Sequence, residues 1–571
     1  MGPASPNWTS EGLGPGDPER IETFQSCSAG QARLDLQPLW RLGAAADGPS
    51  PSLLAAGLAP KAGGGSLADS GSALDHPWGA RHRPDWAARG LIIWPRGGVW
   101  RRLLLACACP APWRAHGPGA ARARLALRWW ADQALLLADG QPVRAGDLFD
   151  TACRWELPAS WWHGQPLRLE LWLRSPLHDD GALVRSRLEL EPRDPEDPLR
   201  LLEPDRIELR QRRLAAGRSA VAALAPGPGS VHVLGHAHLD LAWLWPVADT
   251  WRAAERTFRS ALRLMERFPE LHFGHSTPAL YAWLEAQRPA LFEQVRQAMR
   301  AGRWEPLNGP WVESDCVLIS TASLLRQFQN GQAYSRSRFP EWEHGLAWLP
   351  DSFGFAAGLP AVASATGVRW FCTHKLAWNA TNPFPHRLFR WRSRCGAELL
   401  ALMTAPIGTD GDPVAIETER LAWQAASGVD DLLWLPGVGD HGGGPTAEML
   451  EQLDLWRQQP AAAPQRHGSV RAYLRELEPL APRLPVWRDE LYLELHRGCA
   501  TSRPDQKRHN RSLERLLREA ELAQALASAL AASGAGDGTG TAAEAADRSE
   551  EHTSELQSHS DLVCRLLLEK K

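Results

Sequence analysis

In Val231-His232-Val233-Leu234-Gly235-His236-Ala237-His238-Leu239-Asp240-Leu241-Ala242-Trp243-Leu244-Trp245-Pro246, a short strand runs directly into side chains that can bind a metal. The run from Val231 to Leu234 is apolar and β-branched and follows a Pro/Gly-rich turn at 226–230, which predicts a buried central strand of a parallel sheet. Ligands bind at the carboxyl ends of such strands. His238 and Asp240 stand two residues apart there, so strand periodicity sends both side chains off one face. An imidazole and a carboxylate converging in this way suit a borderline divalent ion such as Zn²⁺. Taken alone, the pair reads more readily as a buried histidine with a hydrogen-bonding aspartate; the strand-end context and the motifs that follow favour the metal reading.

Working outward, strands alternate with helices on the C-terminal side. Ala254, Thr257, Phe258, Ala261, Leu262 and Met265 form one helical stripe that stops at Phe268-Pro269. Further strands are expected at 271–275, 345–349, 370–373, 399–403 and 432–435, an alternation that implies an α/β domain with a mostly parallel, barrel-like sheet. On the N-terminal side, runs such as Ala123 to Trp129 and Leu167 to Leu173 alternate apolar with polar residues and are separated by turns like Asp139-Gly140. They predict an antiparallel β-sandwich. Residues 1–77 read as an irregular segment with an Ala/Gly/Pro-rich linker. The expected domains are therefore a sandwich at 78–225, an α/β domain at 226–500, and the start of a helical bundle at 501–535, marked by Leu513, Leu516, Leu517, Ala520 and Ala523. The run from Arg548 to Ser558 resembles the translation of a sequencing adapter, so 548–571 is expected to be a non-native tail.

With 571 residues the chain is long enough for several cores. A net charge of −3 leaves no basic excess to neutralise phosphates, which argues against nucleic acid or an anionic membrane as partner. Nine cysteines lie scattered, without zinc-ribbon spacing or the density of a disulfide scaffold, and no 18-residue apolar run occurs. A cytoplasmic protein is the expectation, with a homo-oligomer as a candidate assembly. Only five of the 63 basic residues are lysines while tryptophans number 28, the skew of a GC-rich coding sequence; most of these tryptophans are expected to fill cores.

Three further strand ends carry chemistry. Trp348-Leu349-Pro350-Asp351-Ser352-Phe353-Gly354-Phe355 presents an acid after an apolar strand, and Asp351 reads as ligand, nucleophile or helix N-cap. Leu432 to Pro445 sets Asp440-His441 among glycines, which let backbone approach a ligand closely. Lys375, a rare lysine, ends a strand in Thr373-His374-Lys375-Leu376-Ala377-Trp378-Asn379. Glu313 and Asp315, in Trp311-Val312-Glu313-Ser314-Asp315, add a fourth acidic point. Together they describe a cleft with paired carboxylates and a metal.

The segments Gly235 to Pro246, Trp348 to Phe355, His374 to Asn379, Gly439 to Thr446 and Glu494 to Pro504 resemble the class II α-mannosidases of glycoside hydrolase family 38, and its cytosolic branch fits best. The resemblance implies a seven-stranded α/β catalytic domain and retaining hydrolysis of α-mannosides at a Zn²⁺ site. It implies that His238, Asp240 and Asp351 are zinc ligands, that Asp351 doubles as nucleophile, that Asp440 is general acid/base, and that Trp243 lies under the sugar ring. Lys375, Asp315 and Trp311 would serve the substrate, a mannose-containing oligosaccharide or glycoside. Relatives complete the zinc shell with a histidine from a Phe-His-Asp motif that is missing here, with His441 as an available substitute; a weakened site and an inactive fragment are therefore expected. His236 reads as a supporting residue. Two alternatives are a metal-dependent polysaccharide deacetylase or amidohydrolase using His236 and His238 as a ligand pair, and a non-catalytic carbohydrate-binding protein.

Overall fold

A computed structural model describes residues 23–24, 32–43, 48–49, 86, 90–177, 179–192, 229–242, 245–439, 442–457 and 462–534. Its N-terminal part is a pair of sheets. One runs Thr23–Phe24, Trp100–Cys107, Leu167–Arg174, Gln133–Ala138, Gln141–Gly146, with Arg41–Leu42 also paired to Trp100–Cys107. The other runs Arg33–Asp35, Gly181–Pro192, Ala121–Trp130, Ala152–Glu156, with Ile92–Trp94 on Gly181–Pro192. All pairings are antiparallel except that of Thr23–Phe24 with Trp100–Cys107. The alternation read from sequence is the one that packs: Leu125, Leu127 and Trp129 from one sheet and Leu169, Leu171 and Leu173 from the other share one core. Asp139-Gly140 is a two-residue hairpin turn with φ of 47° and 78°, the positive values a type I′ turn requires.

The N-terminal segment is not irregular throughout, which corrects the expectation for residues 1–77. Arg33–Asp35 pairs with Gly181–Pro192, and Leu34, Leu36 and Trp40 are buried in the sandwich core. Trp40 is 1 % exposed and its indole N–H donates to Ser186 Oγ at 2.8 Å. The physical reason is that three apolar side chains at alternating or turn-spaced positions suffice to dock a strand onto an existing sheet.

The α/β part comprises three ladders. Val231–Val233 lies between Leu432–Trp434 and Gln465–His467, all parallel. Gly235–His236, Phe273–His275 and Trp304–Pro306 form a second parallel set. In the third, Leu346–Trp348, Trp370–Thr373 and Glu398–Met403 are parallel, Leu388–Arg392 runs antiparallel to Glu398–Met403, and Val486–Trp487 joins its edge. The expected sheet is therefore found as mixed ladders with helices around them. Main-chain bonds connect the pieces: Leu234 N–H donates to Trp434 O at 3.1 Å, Gly235 N–H to His272 O at 2.8 Å, and Trp348 N–H to Asn308 O at 3.0 Å. The helix Val247–Arg267 buries Ala254, Thr257, Phe258, Ala261 and Met265, the stripe read from sequence, with Leu262 partly buried beside the same core. Trp304–Pro306 and Leu388–Arg392 were not anticipated; the first is three residues long and contains a buried glutamate.

The sandwich and the α/β part touch through charged pairs. Asp132 binds Arg256 at 2.6 Å, Asp147 lies 3.5 Å from Arg263, and Arg144 lies 3.4 Å from Glu451. The helix Pro504–Gly534 meets the α/β part at Ser320, whose N–H donates to Glu514 at 2.7 Å, and at Arg326, paired with Glu521 at 2.9 Å.

Candidate metal and catalytic centre

The extended run 231–236 ends at His236, and the following four residues carry His238 and Asp240. Their backbone is held by the glycine-rich segment: His236 N–H donates to Pro436 O at 3.0 Å and Gly442 N–H to His238 O at 2.7 Å. Glycine is required at 437, where a Cβ would stand 2.0 Å from the His236 carbonyl oxygen.

His238 is buried, and Asp240 and Asp351 are partly exposed beside it. His238 Nε2 lies 3.5 Å from Asp240 Oδ1 and 3.8 Å from Asp351 Oδ2, and one ligand atom from each of the three residues falls within a 4.8 Å span. The buried Nε2 has no hydrogen-bond partner. An orphaned imidazole nitrogen facing two carboxylates fits a divalent cation: ligand atoms of a tetrahedral site with bonds of about 2.0–2.2 Å stand roughly 3.3–3.6 Å apart. Burial alone would lower the His238 pKa, but the carboxylates of Asp240, Glu313 and Asp351 outweigh it and raise it to about 9. The carboxylates that draw a proton to His238 would also draw a cation, which must displace that proton to bind.

Asp351 is shared. Its Oδ1 accepts from Lys375 Nζ, while Oδ2 faces His238. Lys375 is only 2 % exposed, and its ammonium sits 3.4 Å from the ring centre of Trp378 and 4.9 Å from that of Phe353. Trp378 and Phe353 are themselves exposed, with His496 packed against both at 5.6 and 4.5 Å. Glu313, largely buried, lies 3.5 Å from His238 Nδ1 through Oε2, and its Oε1 accepts the Asp351 N–H at 2.6 Å.

Two other expected residues make contacts of their own. Asp315 is exposed, and its Oδ1 accepts the N–H groups of Val317 and Leu318 at 2.8 and 2.7 Å, a local turn. Trp311 is half-buried and packs edge-on against Tyr334 at 5.6 Å. Trp243, Asp440 and His441 lie outside the described residues. His236 is held by the Trp348 indole, whose N–H donates to its Nε2 at 3.1 Å, and it is not in the ligand cluster. Burial, with His275, His238 and His374 nearby, holds its pKa well below the usual value.

His374 and His275 were not singled out in the sequence. Both are buried; burial together with Lys375 and His238 lowers His374 to about 3, and burial lowers His275 to about 4. Neither ring nitrogen of His374 has a partner. Their signal in the sequence was position alone: each ends a short apolar strand.

Residues 228–490 match the glycosyl hydrolases family 38 N-terminal domain, and residues 494–563 match the alpha mannosidase middle domain. The second match crosses 535–563, outside the described residues, and so covers part of the expected tail. The chain is 35 % identical over 304 residues to alpha-mannosidase 2C1 of Homo sapiens, covering 52 % of this chain and 29 % of that protein. To an alpha-mannosidase of Saccharomyces cerevisiae it is 34 % identical over 308 residues, 51 % of this chain and 28 % of the relative. It thus spans under a third of the length of these curated relatives. A crystal structure of an alpha-mannosidase from Enterococcus faecalis V583 aligns at 20 % identity with a TM-score of 0.39, over 46 % of this chain and 30 % of that one. With two domain models of one family matching in sequence over 228–490 and 494–563, this chain belongs to glycosyl hydrolase family 38.

Proposed function

We propose that this chain carries the metal and nucleophile side of a retaining, zinc-dependent α-mannosidase of the cytosolic type, acting on terminal α-mannosidic bonds of oligosaccharides or simpler mannosides in the cytoplasm. The observation that supports it most directly is the shared carboxylate of Asp351, set between the Lys375 ammonium and the His238–Asp240 corner. A retaining glycosidase needs one ionised carboxylate as nucleophile and a second, protonated at the start, about 5–5.5 Å away. Asp351 takes the nucleophile's place in this reading: the buried Lys375 ammonium pairs with its Oδ1 and fixes its orientation. Asp440 is the general acid/base in this reading, protonating the departing oxygen and later activating water. Trp243 would stack under the sugar, with Trp311 and Asp315 contributing to substrate binding. The exposed rings of Trp378 and Phe353 beside Lys375 are apolar surface of the kind sugars stack on. His238, Asp240 and Asp351, with His441 as a further ligand, would hold the zinc, which would supply Lewis acidity toward vicinal sugar hydroxyls.

In the same reading seven strands drawn from the three ladders form one barrel-like wall, supported by the Asn308–Trp348 bond and the parallel bridge between Thr409 and Pro436. The deacetylase alternative loses support because His236, its second ligand, already spends Nε2 on the Trp348 indole. The test is trapping with a fluorinated α-mannosyl donor followed by peptide mass spectrometry, alongside turnover of an aryl α-mannoside with added Zn²⁺. A mannosyl adduct on the Asp351 peptide is expected in a chain completed with the relatives' Phe-His-Asp segment, absent in its Asp351→Asn variant; this fragment alone is expected to be inactive. Undiminished turnover by Asp351→Asn would overturn the mechanism.

A further inference from the structure

We infer that Glu313 is the positioning residue of this centre: one carboxylate that selects which ring nitrogen His238 offers to the metal and also fixes the backbone of Asp351. The inference rests on the metal reading above and adds a role to a residue outside the ligand set. Glu313 Oε2 lies 3.5 Å from His238 Nδ1, on the side of the ring away from Asp240 and Asp351. A neutral imidazole carries its proton on one nitrogen and a lone pair on the other. A carboxylate at Nδ1 keeps the proton there, so the lone pair points from Nε2, the buried nitrogen without a partner that faces both ligand carboxylates.

The other oxygen ties in the second half of the site. Glu313 Oε1 accepts the Asp351 N–H at 2.6 Å and the Ser352 hydroxyl at 3.4 Å. Ser352 also contacts the Ser314 carbonyl at 3.3 Å, which holds the 313–314 and 351–352 segments together. Ligands from two distant strand ends are therefore referenced to a single side chain. Asp315, two residues on, does not share this geometry because its own turn occupies it.

Glu313→Gln separates this role from simple structural support. The amide oxygen still accepts the Asp351 N–H, whereas the amide NH₂ now faces His238 Nδ1. Two donors cannot pair, so Nδ1 becomes the acceptor and the proton moves to Nε2, the nitrogen the metal needs. Zinc affinity of the whole chain, measured by competition with a chromophoric chelator, is expected to fall about 10–100-fold in Glu313→Gln. The visible absorption of the Co²⁺-loaded protein should change with it, while far-UV circular dichroism stays the same. If the glutamine variant does not fold, Glu313→Asp serves instead: it keeps the charge but is too short to reach both partners, and a loss of roughly tenfold or more is expected. Zinc binding by folded Glu313→Gln, or in its absence by folded Glu313→Asp, that stays within about twofold of the unaltered chain overturns the inference and leaves the metal reading intact. Absence of zinc binding by the unaltered chain, or binding that His238→Ala does not weaken, overturns the metal reading and this inference together.

Discussion

His275 offers a measurable test of how the interior beneath the centre is built. Its ring is 1 % exposed and lies among Phe258, Tyr281 and Phe273 at 4.8, 6.1 and 6.3 Å. Nδ1–H donates to the Ser276 carbonyl at 2.7 Å, and Nε2 has no partner. Burial lowers its pKa from 6.5 to about 4. The folded protein therefore resists a proton that the unfolded chain accepts below pH 6.5, so stability present above that pH is lost as the pH falls toward 4. For these two values the contribution lost by pH 4.5 is about 2.5 kcal/mol. His275→Phe keeps a planar ring in an aromatic cage and removes the titration. Urea unfolding of both proteins, with EDTA present, should show the variant gaining about 2.5 kcal/mol on the unaltered chain between pH 7.5 and 4.5. Titration of groups that do not feel His275 cancels in that difference. A difference that stays flat within about 0.5 kcal/mol would refute the claim that burial keeps His275 neutral.

Two further outcomes follow from packing. Trp40→Ala should destabilise the sandwich by about 3–5 kcal/mol, because it empties a fully buried site and orphans the Ser186 hydroxyl; a melting temperature equal to that of the unaltered chain would mean the segment around Trp40 is not docked. Gly437→Ala forces a methyl onto the His236 carbonyl and should cost about 1–3 kcal/mol or more, with weaker zinc binding because the His238 backbone shifts with it; unchanged thermal stability and zinc titration would argue against that contact.

Much of this was legible in the sequence, for identifiable reasons. Val231–Val233 and Trp370–Thr373 are short apolar runs ending in polar residues, and His238, Asp240, Asp351 and Lys375, read from separate strand ends, meet in space. The stripe on Val247–Arg267 was visible because one face of that helix is buried along its length. What stayed hidden depends on distant partners. Trp304–Pro306 carries Glu305, a charge that argues against a buried strand until one sees it accept the Val470 and Arg471 N–H groups at 2.6 and 3.1 Å, at the start of a helix 165 residues away. Glu313 and Asp315 are indistinguishable acids in one loop by sequence; only the fold shows that the first reaches His238 and the second closes its own turn. Strand Arg33–Asp35 fell in the segment read as irregular because its partner, Gly181–Pro192, lies far along the chain.

The glycine-rich segment touches more than the ligand strand. A Cβ at Gly443 would meet the Phe149 ring at 3.0 Å, and Arg256 lies over that same ring at 5.5 Å while gripping Asp132. The sandwich thus packs against the glycine-rich loop as well as being a neighbouring domain. Exchanging it between relatives would replace one side of the loop around Gly442 and Gly443, so residues 132–150 should be moved together with that loop, or the two halves will be mismatched where they meet.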